Sequence, residues 1–185
     1  MEALFMNSNS RYLEDNYYEP CRKDRRDHDD RDRDRDKKNQ EVALKCSAPG
    51  SVAIPILADP GSTFTPTSLT VNTKKFCDPC TKLEFTSNIT LPVGFLGTLS
   101  FQIFKQCRNQ FTPVPVGPAF TFARTVALVV GESSTFSFFV CDCDTCNDDC
   151  CTYSIVITNQ TAILLGATIT NATLSALTVE NKCNC

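Results

Sequence analysis

From about residue 42 onward the apolar side chains return at every second position. In KLEFTSNITL (residues 82–91), Leu83, Phe85, Ile89 and Leu91 share one side; in TLSFQIF they are Leu99, Phe101 and Ile103; in AFTFARTVALVV they are Phe120, Phe122, Val126, Leu128 and Val130. A period of two puts alternate residues on opposite faces of an extended chain, so each run predicts a strand with one face buried. Further runs, SVAIPIL, TSLTVNTKKF, STFSFFV, TYSIVIT, TAILLGATIT and ATLSALTVEN, are rich in Thr, Val, Ile and Phe. Turn signals such as Asp59-Pro60-Gly61 and Val116-Gly117-Pro118 separate them. No segment has the period of a long amphipathic helix, and 185 residues supply one ordinary core. The expected fold is all-β: an antiparallel β-sandwich of about eight strands, jelly-roll or Ig-like.

The pattern does not reach the N-terminus. Residues 1–45 carry 11 of the 18 Lys and Arg and 12 of the 21 Asp and Glu, concentrated in RKDRRDHDDRDRDRDKK. Such a polyampholyte has nothing to bury, and its alternation sets like charges four apart, from Arg31 to Arg35 and from Asp30 to Asp34, against helix. Residues 1–41 are therefore expected to be a disordered Arg/Asp-rich tail or connector, and residues 42–185 a cysteine-rich sandwich domain. A net charge of −3 gives no basic field to draw in nucleic acid or an anionic membrane. The first twenty residues lack the early positive charge and apolar run of a secretory signal, and no segment has the length of a membrane helix.

Catalytic chemistry is poorly provided for. The one histidine, His28, lies in the charged tail, which leaves the folded region without an imidazole base or ligand. No phosphate-binding glycine loop occurs, and Asp59, Glu84 and Glu132 read as loop and rim charges rather than a carboxylate pair. The expectation is a protein that is not an enzyme and takes no cofactor. Asn88-Ile89-Thr90, Asn159-Gln160-Thr161 and Asn171-Ala172-Thr173 match the glycosylation pattern, but Thr-rich strands produce it by chance, and strand or turn roles are expected for them.

Cysteine is the outlier. The twelve are Cys21, Cys46, Cys77, Cys80, Cys107, Cys141, Cys143, Cys146, Cys150, Cys151, Cys183 and Cys185, of which eleven lie in residues 42–185. Eleven is odd, so full oxidation within the domain leaves one thiol free, paired with Cys21, or linked to another chain. Two CxxC pairs, Cys77 with Cys80 and Cys143 with Cys146, offer four thiolates for a tetrahedral metal site. Their wide separation and the absence of histidine favour disulfides instead. Residues 134–143 and 151–158 read as the arms of a hairpin with Asp144 to Asp149 at its tip, solvated by its aspartates, so that Cys143 faces Cys150 or Cys151. Adjacent Cys150 and Cys151 point to opposite faces of a strand, one to an inner bridge and the other outward. A core of this size does not need so many bridges, and fastening between chains accounts for the excess.

The stretch CSAPGSVAIPIL, the CDPC pair, the cluster CDCDTCNDDCC and the ending VENKCNC together resemble cysteine-rich proteins of spore-forming clostridia, in the domain-of-unknown-function family 4489. In architecture the chain is also similar to endospore-appendage subunits of bacilli, jelly-roll domains stacked into fibres and crosslinked through a flexible N-terminal connector. The resemblance implies a structural subunit that polymerises with copies of itself, and with other spore-surface proteins, on the exosporium, coat or appendage. It makes Cys21 the connector thiol, with Cys141 to Cys151 and the pair Cys183 and Cys185 as acceptors. It also implies a route without a signal peptide, through lysis of the mother cell. The alternatives are a metal-binding module on Cys77, Cys80, Cys143 and Cys146, and a sandwich adhesin or ligand-binding domain whose disulfides are all internal.

Overall fold

Alternating sequence becomes alternating burial over ten strands: β1 (Val42–Cys46), β2 (Gly50–Ile54), β3 (Thr63–Phe64), β4 (Ser68–Asn72), β5 (Pro79–Leu91), β6 (Gly97–Cys107), β7 (Val114–Arg124), β8 (Glu132–Asp142), β9 (Cys150–Asn159) and β10 (Ala167–Glu180). The structure is a computed structural model that describes residues 42–76, 78–108, 110–127, 129–143, 150–162 and 165–180. The expected tail 1–41 with Cys21, together with Cys77, Leu128, the tip 144–149 with Cys146, Cys183 and Cys185, lies outside the described residues. The described residues contain no helix, and so none long and apolar enough to cross a membrane.

Every strand pairing is antiparallel. In the first sheet β10 and β5 are central, β8 forms one edge, and β1 and β2 follow one another along the other. In the second sheet β9 and β6 are central, β7 forms one edge, and β3 and β4 share the other. Counting β1/β2 and β3/β4 each as one interrupted strand, the chain changes sheet at every step except β6 to β7. That order is the jelly roll, built from two Greek keys, and not the Ig-like arrangement in which successive strands share a sheet.

Leu83, Phe85, Ile89, Leu91, Leu99, Phe101 and Ile103 are all buried, as the period of two requires. Aromatic rings knit the layers together. Phe85 lies 6.0 Å from Phe101 across the sandwich, Phe101 lies 4.6 Å from Phe136, and Phe120 stacks on Phe138 at 4.2 Å. The two sheets also meet where β7 turns into β8: Arg124 Nε donates to Glu132 Oε2 at 2.9 Å, and the guanidinium lies over the Phe122 ring.

Several expectations need correction. The run 119–130 is not one strand, because β7 ends at Arg124 and the chain crosses there to the other sheet, which leaves Val126 and Val130 exposed. Val116-Gly117-Pro118 does not separate strands but lies inside β7 as a bulge. The pairing jumps from Phe101↔Phe120 to Ile103↔Val116, Gly117 adopts φ +69°, and its carbonyl accepts from Gln102 Nε2 at 3.2 Å. Among the described residues of TAILLGATIT only the end, from Ala167, is strand, and it runs on into ATLSALTVE as the single strand β10, with a register shift between Thr170 and Thr173 around Asn171 at φ 52°. Residues 134–143 and 151–158 are not hairpin arms: β8 pairs with β5 in the first sheet, and β9 with β6, β3 and β4 in the second. Of the three asparagines in acceptor patterns, Asn159 is fully buried, with its amide donating to the carbonyls of Ala58 and Asp59.

Phe101 is fully buried at the centre of the ring cluster, so Phe101→Ala is expected to cost about 3–5 kcal/mol, read as a lowered urea midpoint in equilibrium unfolding. The hydrogen bond from Arg124 holds the Glu132 carboxyl below its ordinary range. A lowered carboxyl contributes stability that is present above its unfolded-state value and lost as pH falls through the folded one. Glu132→Gln should therefore weaken the dependence of unfolding on pH along the acid limb, as measured by thermal melts across that range.

Candidate functional site

All the described cysteines but Cys46 gather where β5, β6, β8 and β9 end, and the face of each is set by its strand's alternation. On β5 the inward residues are odd, Thr81, Leu83 and Phe85, so Cys80 faces outward; on β8 they are even, Phe138, Val140 and Asp142, so Cys141 and the following Cys143 face outward. Thr81 pairs with Asp142, which makes Cys80 and Cys143 the next pair along, and they form a disulfide with Cα atoms 4.1 Å apart. On β6 and β9 the inward residues are odd. Cys107 and Cys151 therefore face the core and lie directly opposite one another, joined by a second disulfide with a Cα separation of 4.0 Å. The first bridge is open to solvent at Cys143 and partly so at Cys80, whereas Cys107 and Cys151 are only 2% and 6% exposed.

Among the described residues, three cysteines carry no disulfide. Cys46 and Cys141 are exposed and Cys150 is half-buried. Cys46 sits on β1 and Cys141 on β8, the two opposite edges of the first sheet, and both point away from the core. Cys141 lies opposite Lys82, one pair away from the Cys80 bridge. Diagonal partners in an antiparallel sheet are about 7–8 Å apart at Cα, beyond disulfide range, so Cys141 has no partner on its own sheet face. Around these thiols the outer face is apolar rather than Thr-rich: Val42, Leu44 (71% exposed), Phe139 and Leu177 are exposed, with Lys82 over the Phe139 ring.

These placements revise the expected pairings. Cys143 bonds with Cys80, and neither Cys150 nor Cys151 faces it, because the chain changes sheet between β8 and β9. The division of labour between Cys150 and Cys151 holds, with Cys151 in the inner bridge and Cys150 free. Of the four thiols in the metal alternative, Cys80 and Cys143 are bonded to each other and are not thiolates for an ion, while Cys77 and Cys146 lie outside the described residues. Among the described residues no group of His, Cys, Asp and Glu is arranged to hold a metal. Cys46, Cys141 and Cys150 have no disulfide partner among the described residues.

Just inside the bridges the core turns polar. Lys105 Nζ on β6 lies 2.7 Å from Asp142 Oδ2 on β8, and Tyr153 OH on β9 donates to the same oxygen at 2.7 Å. All three are buried, and beside them Thr81 and Thr178 share a buried hydroxyl hydrogen bond of 3.0 Å. Asp142 is thus an inward residue that links the two sheets. The sequence did carry the signal: Lys105 continues the inward series Leu99, Phe101 and Ile103, and Asp142 continues Phe138 and Val140. Against this cluster opens a surface cavity of about 300 Å³, lined by Lys105, Gln110, Val116, Cys141, Asp142 and Cys143 among others.

The chain also enters and leaves here. Val42, the first residue of β1, pairs with Val179, which on its other side pairs with Cys80; Glu180, the last residue of β10, pairs with Pro79. Cys183 and Cys185 follow Glu180 by three and five residues in the sequence and lie outside the described residues.

The family model described as Domain of unknown function (DUF4489) matches residues 40–179. No curated protein sequence matches the chain. Among solved structures, the chain is similar to the infectious bursal disease virus VP2 subviral particle, with a TM-score of 0.47 and 12% identity over 80% of this chain and 34% of that one. It is similar also to the infectious bursal disease virus Gx strain structure, with a TM-score of 0.39 and 15% identity over 80% and 33% of the two chains. The chain thus spans about a third of the length of these viral proteins.

Removing the Lys105 ammonium strands a buried carboxylate. Lys105→Met should destabilise the fold by about 3–5 kcal/mol, and adding Asp142→Leu should recover part of that loss. Denaturant titration of the single and double variants checks both, and a fully stable single variant would contradict the buried pair.

Proposed function

This chain belongs to the DUF4489 family through residues 40–179, and on that premise we propose that it is a structural subunit that assembles with copies of itself on the surface of a bacterial spore. The observation that carries this reading is the division of the cysteines. The inward pair, Cys107 and Cys151, is bridged, while a free exposed thiol stands on each outer edge of the first sheet, Cys46 on β1 and Cys141 on β8. A monomer gains nothing from exposed thiols flanking an apolar face, whereas a polymer gains a docking area and a covalent fastening from the same surface.

Association through the apolar outer face and the open edge strands arranges the subunits, and disulfides between subunits then make the arrangement permanent. The chain ends add reach: Cys21 on the N-terminal connector, and Cys183 and Cys185 just past β10, supply thiols to neighbouring copies. Such a fibre or layer belongs on the exosporium, coat or appendage, where protein released by mother-cell lysis meets oxidant. The product is a mechanical material, with no substrate and no cofactor.

Oxidised full-length protein should run on non-reducing electrophoresis as a ladder with material held in the wells, collapsing to monomer with reductant. The triple variant Cys46→Ser, Cys141→Ser, Cys150→Ser should shorten that ladder, and Cys21→Ser should shorten it independently. A clean monomer band with and without reductant sinks the assembly. Normal crosslinking by Cys21→Ser removes the connector from it. Immunogold labelling of intact spores tests the location.

A further inference from the structure

The two disulfides differ in what can reach them. Cys107 and Cys151 are sealed between the sheets, and an attacking group would have to open the sandwich to touch either sulfur. Cys143 is exposed, and it lines the 300 Å³ cavity together with Cys141, Lys105 and Asp142, whereas Cys80 does not line it. The cavity gives an incoming sulfur room beside Cys143. Exposed bridges are also the labile, exchanging class, and buried ones are inert.

We propose that the Cys80–Cys143 disulfide is an exchange site that accepts a cysteine thiolate from a second copy of this chain, so that one subunit is joined to another without an external oxidant. The incoming thiolate bonds to Cys143 Sγ as the Cys80–Cys143 bond breaks. The electron pair of that bond stays on Cys80 Sγ, which takes up a proton from solvent. One disulfide and one thiolate enter, and one disulfide and one thiol leave, so nothing is oxidised or reduced overall. The choice of partner rests on the self-assembly proposed above, and follows from the thiols this chain presents: Cys46 and Cys141, both exposed on the first sheet. Cys141 of the same copy does not take the role, since it lies diagonally from Cys80 one pair along the strands and projects from the same strand as Cys143. The Lys105 ammonium at the cavity wall gives the approaching anion a favourable field, although Asp142 at 2.7 Å partly offsets it.

Two experiments on the full chain with its native disulfides test this. In the first, the protein is held without oxygen or added oxidant with cysteamine, a small thiol, and newly formed thiols are trapped by alkylation and mapped by mass spectrometry. Cys80 should become alkylated, with cysteamine on Cys143, about tenfold or more faster than any label reaches Cys107 or Cys151. Equal rates for the two bridges, or cysteamine on Cys107 or Cys151 first, overturn the proposal. This arm needs no assembly.

In the second, the protein is concentrated without oxidant and without small thiols. Intersubunit disulfides ending on Cys143 should accumulate in step with free Cys80, and Cys80→Ser/Cys143→Ser should crosslink only when oxidant is added. Crosslinking that requires oxidant in the wild type and leaves the Cys80–Cys143 bridge intact refutes the exchange while sparing the assembly. Opening by cysteamine with no crosslinking under any condition refutes the second copy as the source of the thiolate and the assembly with it.

Discussion

Side-chain alternation along antiparallel strands gives every cysteine of the sandwich its face, and strand register decides which faces become bonds. A residue on β5 and its neighbour on β8 stand on the same side of the sheet, so Cys80 and Cys143 meet outside the core. The same rule on β6 and β9 brings Cys107 and Cys151 together inside it. A shift of one residue in either pairing would exchange inner and outer sulfurs and expose the Phe cluster as well, so the aromatic core holds the thiol pattern in place. Chemistry at the surface of this protein is therefore a consequence of packing at its centre.

The polar group beneath the bridges follows from the same register. Lys105, Asp142 and Tyr153 occupy inward positions at the end of the sandwich, where the apolar layers Ile103, Val140 and Ile155 stop. Each bridge joins strands within one sheet, whereas the contacts to Asp142 join one sheet to the other. A buried ion pair is not by itself a strong source of stability, but breaking one side of it is costly, which makes it a specific lock between layers. The bridged end is thus tied in two directions, along the sheets by sulfur and across them by charge.

Most strands were legible in the sequence because their signal is local: Phe85 and Ile89 alternate with polar residues whatever they pair with. Topology was not legible, because the change of sheet between β8 and β9 is settled by which distant strand each one pairs with, and two apolar runs flanking a polar turn look the same in a hairpin and in a crossover. That error carried over to the sulfur pairing. Once β8 was paired with β9, Cys143 had to face Cys150 or Cys151, whereas its partner, Cys80, is 63 residues away in the chain. Gly117 misled for the opposite reason: a left-handed residue between apolar neighbours marks a turn or a bulge equally well, and only the partner Gln102 decides. That Cys150 and Cys151 take opposite faces was legible, since it depends on alternation alone, but which of them faces inward depends on register.

The jelly-roll order also accounts for the crowding of sulfur at one end. Its first and last strands are neighbours, β1 against β10, so the chain enters at Val42 and leaves at Glu180 beside the Cys80 row. The Cys107–Cys151 bridge is sealed between the sheets while the Cys80–Cys143 bridge lies at the surface, so a change at the outer bridge need not disturb the sandwich that positions it.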